Sequence, residues 1–177
     1  MILKNKMKKV KYNLIFIAGA PGAGKSSVAF TLHKNLKTPI FEFGWIPEFR
    51  QKGSIEISYK EEEGIAFENL TLVLKNYIKH GFGNIVVTDL EDKRILQLEK
   101  VFKKEKYILF TLIVDDEKLL KKRIMDKKRS SEYRNWKEGI EINKKISRRK
   151  LLKNEIRIDA ENNSVEKIVK EILGKIR

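Results

Sequence analysis

The sequence predicts an α/β protein: a five-stranded parallel sheet between two layers of helices, a three-layer αβα arrangement. Three observations carry that prediction. Five short apolar runs alternate with helix-like stripes from end to end. A glycine-rich octapeptide falls between the first run and the first stripe. A length of 177 residues suits one domain over 1–177, burying roughly 70% of the surface its unfolded chain exposes.

The first strand is read at 12–18, where Tyr12 to Ala18 is apolar enough to be covered on both faces, as parallel strands are. A helix follows from Ser26 to Lys37, with Val28, Ala29, Leu32 and Leu36 on one side. The second strand is read at 39–43. The next helix is marked by Ala66, Leu70, Val73, Leu74, Tyr77 and Ile78, and it stops at His80-Gly81. Strands at 84–88 and 107–114 bracket a helix marked by Ile95, Leu98 and Phe102. A fifth strand at 155–159 precedes the cleanest stripe, Val165, Ile168, Val169, Ile172, Leu173 and Ile176, with Ser164 as its N-cap. Helices between strands imply right-handed crossovers. In such sheets ligands bind beyond the carboxyl ends of the strands. Two stretches, Gly44–Lys60 and roughly 126–138, lack a strong period and are placed over that edge.

Gly19-Ala20-Pro21-Gly22-Ala23-Gly24-Lys25-Ser26 matches Gly-x-x-x-x-Gly-Lys-[Ser/Thr] at every fixed position, in the strand–loop–helix frame the motif needs. Glycines let the backbone bend so that several N–H groups face one anion, and the helix N-terminus adds its partial positive charge there. Lys25 then reaches the β- and γ-phosphates, and the Ser26 hydroxyl takes a place on Mg²⁺. Gly19 to Ser27 is therefore the candidate nucleotide-binding segment of a P-loop NTPase-type domain, with ATP and Mg²⁺ as expected cofactors.

Composition narrows the classes. No apolar run approaches the roughly 20 residues a membrane span requires, and the start of the chain lacks the pattern of an export signal. With no cysteine and two histidines, disulfides and thiolate metal sites are excluded and a zinc site is not indicated. A soluble cytoplasmic protein is expected. The net charge of +15 is unevenly placed: +5 lies in a basic tail at 1–11 and +11 in residues 118–153, so the remainder is near neutral. Clustering on that scale suggests contact with phosphates or nucleic acid.

Other residues bear chemistry. Asp89 ends the apolar run Ile85-Val86-Val87-Thr88. An acid in this place holds Mg²⁺ directly or through water; its alternative is a cap for the helix that follows. Glu42 is the one acid in the second strand, where an ionised carboxylate is expensive unless it faces a ligand, metal or cation. It can accept a proton from a substrate hydroxyl, or pair with a lysine at a strand edge. In the aromatic run 44–50, Trp45 and Phe49 can wall an acceptor pocket while Arg50 grips a phosphate or carboxylate; otherwise the aromatics anchor a loop. From Asp115 the chain has helix-start chemistry and then turns basic. Arg123, Arg129 and Arg134 are spaced so that some can lie over a triphosphate in a mobile lid at about 126–138. The alternative there is a solvated basic helix.

Together the P-loop, the strand-2 acid, Asp89 after strand 3 and the arginine-bearing lid after strand 4 resemble the small P-loop kinases. That group includes adenylate, shikimate and gluconate kinases and chloramphenicol phosphotransferase-like enzymes. The resemblance implies a sheet of order 2-3-1-4-5 and transfer of the ATP γ-phosphoryl to a hydroxyl or phosphate of a small acceptor. By position it implies that Lys25 and Ser26 take phosphates and metal, Glu42 is the acceptor-side acid, and Arg123 and Arg129 are lid arginines. It also places the turn 159–162 beside the adenine. The chain departs from the group in one respect. Several members carry Asp-x-Asp on the second strand, whereas this chain has Glu42-Phe43-Gly44, so Asp89 also stands as a candidate base. Two other readings remain at this stage: a nucleic-acid-directed P-loop protein such as an RNA or polynucleotide 5′-kinase, and a nucleotide-binding regulatory module without kinase activity.

Overall fold

A computed structural model describes residues 10–46, 57–129 and 131–177. Five parallel strands form the sheet: β1 (Leu14–Gly19), β2 (Ile40–Glu42), β3 (Ile85–Thr88), β4 (Tyr107–Ile113) and β5 (Glu155–Asp159). Their order is β2-β3-β1-β4-β5, as the resemblance implied. β1, β3 and β4 bury nearly every residue, which is why their sequences run apolar instead of alternating.

Helices cover both faces. Even- and odd-numbered residues of β1 point to opposite sides. Ile15 and Ile17 pack with Val28, Ala29 and Leu32 of α1 (Lys25–Leu36), with Leu120 and Ile124 of α5 (Glu117–Met125), and with Ile168 and Ile172 of α7 (Val165–Ile176). Leu14, Phe16 and Ala18 pack with Phe67, Leu70 and Leu74 of α2 (Tyr59–Lys79). On that side they also meet Ile95 of α3 (Asp92–Ile95) and Leu98 of α4 (Leu98–Val101). The predicted three layers are present.

Differences from the sequence reading are local. α2 starts at Tyr59, before its apolar stripe begins, because Ser58 and Glu61 form a reciprocal capping box. The single helix expected around residues 95–102 is two short ones, α3 and α4. A strongly amphipathic helix that the sequence reading did not mark, α6 (Trp136–Arg148), occupies the end of the expected lid and continues past it. Ser164 caps α7 as expected, accepting the Lys167 N–H at 3.3 Å. No helix of the described residues is long and apolar enough to cross a membrane.

Candidate active site

The carboxyl ends of β1, β2 and β3 lie side by side, and this brings together residues far apart in sequence. β1 ends at Gly19, whose φ of +141° and close approach to β4 both require glycine: a Cβ there would lie 2.7 Å from the Leu112 carbonyl oxygen. Gly22 and Gly24 follow with φ of +85° and +93°. Left-handed glycines alternating with ordinary residues make a concave nest of N–H groups. The turn is closed by the Ala23 N–H donating to Ala20 O at 3.1 Å, with Ala20 and Ala23 buried beneath it. α1 then begins at Lys25 with no side-chain cap and no acid in its first turn. Its positive end therefore faces the cleft with no acid of its own first turn to offset it.

Lys25 points back over the loop, its Nζ donating to Ala20 O at 3.4 Å and lying 3.8 Å from an Asp89 carboxylate oxygen. Burial lowers its pKa, the nearby Arg129 adds to that, and Asp89 and Glu42 oppose it. Asp89 directly follows β3, and the buried Thr88 hydroxyl ties the strand end to Ile17 O at 3.2 Å. Asp89 itself has φ of +66°, a conformation that costs a non-glycine residue energy and is concentrated at functional sites. The cap of α3 is Glu91, so the alternative role for Asp89 as helix cap is not the one adopted.

Glu42 pairs in register with Thr88 across β2 and β3, which sets its carboxylate beside the P-loop. It accepts the Ser26 hydroxyl at 3.2 Å, so among the described residues its hydrogen-bond partner is the P-loop serine and not a strand-edge lysine. The chain then makes one 3₁₀ turn, Phe43–Trp45, that buries Phe43 and leaves Trp45 55% exposed against Phe30, ring centroids 5.8 Å apart. The anchor of this turn is thus Phe43, and Trp45 faces the opening. Phe49 and Arg50 lie outside the described residues.

From the other side come the end of α5 and the segment before α6. Arg123 donates to Ala160 O at 2.9 Å, joining α5 to the turn after β5. In that turn Asp159 accepts the N–H groups of Glu161 and Asn162 at 2.7 and 3.2 Å. Arg129 donates to Ile124 O at 3.0 Å and Tyr133 O at 3.4 Å. Burial and then the charge of Arg134 draw its pKa below the usual guanidinium range, with Asp126 opposing. Arg134 turns away onto the carbonyl oxygens of Ser131 and Tyr133. Tyr133 donates to Glu138 at 3.0 Å, and burial with that bond pushes its phenol up to about 12.

These groups line one cleft of about 1000 Å³, whose walls include Gly22, Gly24, Lys25, Ser26, Ser27, Glu42, Trp45, Asp89, Arg123 and Arg129. Of the described candidate residues, Gly19, Ala20, Ala23 and Arg134 are not among them. The sequence reading missed Lys128 and Tyr133 as cleft-lining groups, together with Asp126 and Ser131. The direct sequence adjacency of Lys128 to Arg129 was the available signal. Ser26, Glu42 and Asp89 supply hard oxygen donors on one wall, a set that suits Mg²⁺. Among the described residues no three Asp, Glu, His or Cys side chains form a cage.

No protein-family model matches this chain, and no curated protein matches it by sequence. Solved structures do match in fold. A gluconokinase from Sinorhizobium meliloti 1021 superposes with a TM-score of 0.65 at 15% identity, over 94% of this chain and 92% of that one. A shikimate kinase from Acinetobacter baumannii, in complex with shikimate, gives 0.56 at 16% identity over 93% and 92%. A deoxyadenosine kinase from M. mycoides with bound dATP gives 0.57 at 16% identity over 93% and 98%. At such identities the likeness is one of fold: this chain has the architecture of the small P-loop kinases.

Proposed function

We propose that this protein is an ATP-dependent kinase that transfers the γ-phosphoryl group to a hydroxyl or phosphate of a small molecule. The supporting observation is the convergence, in one cleft, of the glycine nest, Lys25, two carboxylates and two arginines from five different segments. The kinases of like fold include one with shikimate and one with dATP, small ligands that a cleft of this size accommodates.

In this reading the backbone N–H groups of 19–27 and the end of α1 hold the α- and β-phosphates, and Lys25 meets the β- and γ-phosphates. Ser26, Glu42 and Asp89 would hold Mg²⁺, which supplies charge neutralisation on the phosphate oxygens when bound. Glu42 accepts the acceptor's hydroxyl proton through the oxygen not bonded to Ser26. The acceptor oxygen forms a bond to the γ-phosphorus as the bridging P–O bond breaks, its electrons leaving with ADP. Asp89 is the second candidate for that proton. Arg123 and Arg129 stabilise charge on the migrating group as the lid at about 126–138 excludes water. Trp45 and Arg50 read the acceptor, and the turn 159–162 borders the adenine.

ADP release measured against a panel of hydroxyl compounds tests this. Turnover is expected to rise sharply with one class of acceptor and to vanish in Lys25→Ala. Acceptor-dependent turnover that persists in Lys25→Ala would remove the assignment.

A further inference from the structure

Asp89 stands three residues before α3, a single helical turn that has almost no stability of its own. Side chains hold that turn from both flanks. Toward α2, Glu63 is 1% exposed. It receives Arg94 Nε at 2.8 Å, Arg94 Nη2 at 2.6 Å and Lys93 Nζ at 3.0 Å. Arg94 lies 4.9 Å from the centroid of the Phe67 ring and donates to Gln97 at 3.2 Å. Tyr59, the first residue of α2, donates to Glu91 at 2.9 Å, and Lys93 also contacts Glu91 at 3.0 Å. Toward β5, Asp92 lies 3.5 Å from Arg149 Nε. The guanidinium fork of Arg149 is taken by buried Glu155 at 2.6 and 2.9 Å. Glu155 also accepts from the Thr111 hydroxyl at 2.6 Å.

Buried ion pairs of this kind add little net stability, since apolar residues of similar size often do as well or better. What they do is fix geometry, because a buried charge tolerates few alternative positions once its partners are set. Two such networks meet on the few residues that follow Asp89, whose own backbone is in a costly conformation.

We propose that Glu63 and Arg94 on one flank, and Asp92 and Arg149 on the other, are positioning residues that hold the Asp89 carboxylate opposite Lys25. Through Glu63 they also tie it to α2. The purpose of this arrangement rests on the kinase reading, in which Asp89 serves the metal; its geometry does not.

Two measurements on the full chain test it. The first is amide hydrogen exchange of residues 88–97 without nucleotide, in wild type, Glu63→Gln and Arg94→Ala, with melting recorded for each. Arg94→Ala leaves Lys93 on Glu63, so folding does not depend on both cations. Exchange in this segment is expected to rise about tenfold or more in both variants while the central strands stay protected. Unchanged exchange, or a uniform rise across the sheet, overturns the proposal. The second is the affinity for ATP with and without Mg²⁺. Both variants are expected to bind metal-free ATP as wild type does and to lose most of the Mg²⁺-dependent gain. Asp89→Asn alone should lose the same gain, and adding Glu63→Gln to it should cost nothing further. Additive losses would make the network merely structural. If wild type itself binds no ATP, the kinase reading falls, and hydrogen exchange alone still decides whether the network holds the segment.

Discussion

At the scale of residues, the cleft depends on a few positions where nothing else fits. Gly22 has φ of +85°, and a Cβ there would lie 2.8 Å from Ile124 and 3.1 Å from Leu120. Gly22→Ala should therefore lower stability by about 1–3 kcal/mol, and nucleotide affinity should fall with it; denaturant melts and ATP titration check both. Glu42 makes a different prediction. Its carboxylate touches Ser26 and faces the cleft, so Glu42→Gln should slow transfer by about 10²- to 10⁴-fold while weakening ATP binding far less. Single-turnover rates set beside titrations separate the two, and equal losses would mean a structural role. Much of this was readable in advance, because a phosphate cradle writes its backbone requirements into residue types. The pairing of Lys25 with Asp89 was not readable, since it depends on strand register and on a left-handed residue with no glycine to announce it.

Elements tell the same story from the packing side. β1, β3, β4 and α7 were legible because their buried faces are continuous. The beginning of α2 was not: its first five residues run Tyr59-Lys60-Glu61-Glu62-Glu63, and Glu63 sits where an apolar residue would be expected. The capping box from Ser58 to Glu61 was the signal present, and Ser58→Ala should cost about 1 kcal/mol, read as a lower melting temperature. α6 is amphipathic and buries Gly139, Ile140, Asn143 and Ile146; it stayed hidden because its first residues fall in the stretch 126–138, which reads in sequence as a lid without a period. Gly139 packs closely there, since a Cβ would lie 2.5 Å from the Cδ1 methyl of Ile124, which would have to shift. Asn143 donates to Val114 O at 2.8 Å, so half of that buried face carries no hydrophobic signal.

The two inward carboxylates of these elements set a pH dependence. Burial pushes the pKa of Glu63 and of Glu155 up, but their hydrogen bonds to arginine outweigh it and both lie below the ordinary 4.5. A depressed carboxyl pKa gives stability that is present above the unfolded value and drains away as pH falls through the folded one. Melting temperature should hold near neutrality and drop below about pH 4.5. In Glu155→Gln the starting value should be lower and the acid-dependent drop smaller.

Taken whole, the molecule puts its charge to use in specific places. Within the basic stretch 118–153, Arg123 and Arg129 border the cleft. Lys144 is paired with Glu117 and Glu141, Arg149 with Glu155, and Lys153 with Glu99. A kinase for small acceptors then predicts little oligonucleotide binding at physiological salt, whereas affinity there that falls steeply with added salt would favour a nucleic-acid substrate. The most direct test remains ATP itself. Calorimetric titration with Mg²⁺ present should show one site per chain in wild type, weakened at least about tenfold, or ~1.4 kcal/mol, in Lys25→Ala. A wild-type chain that takes up no ATP, or a Lys25→Ala chain that binds it equally well, would contradict the account.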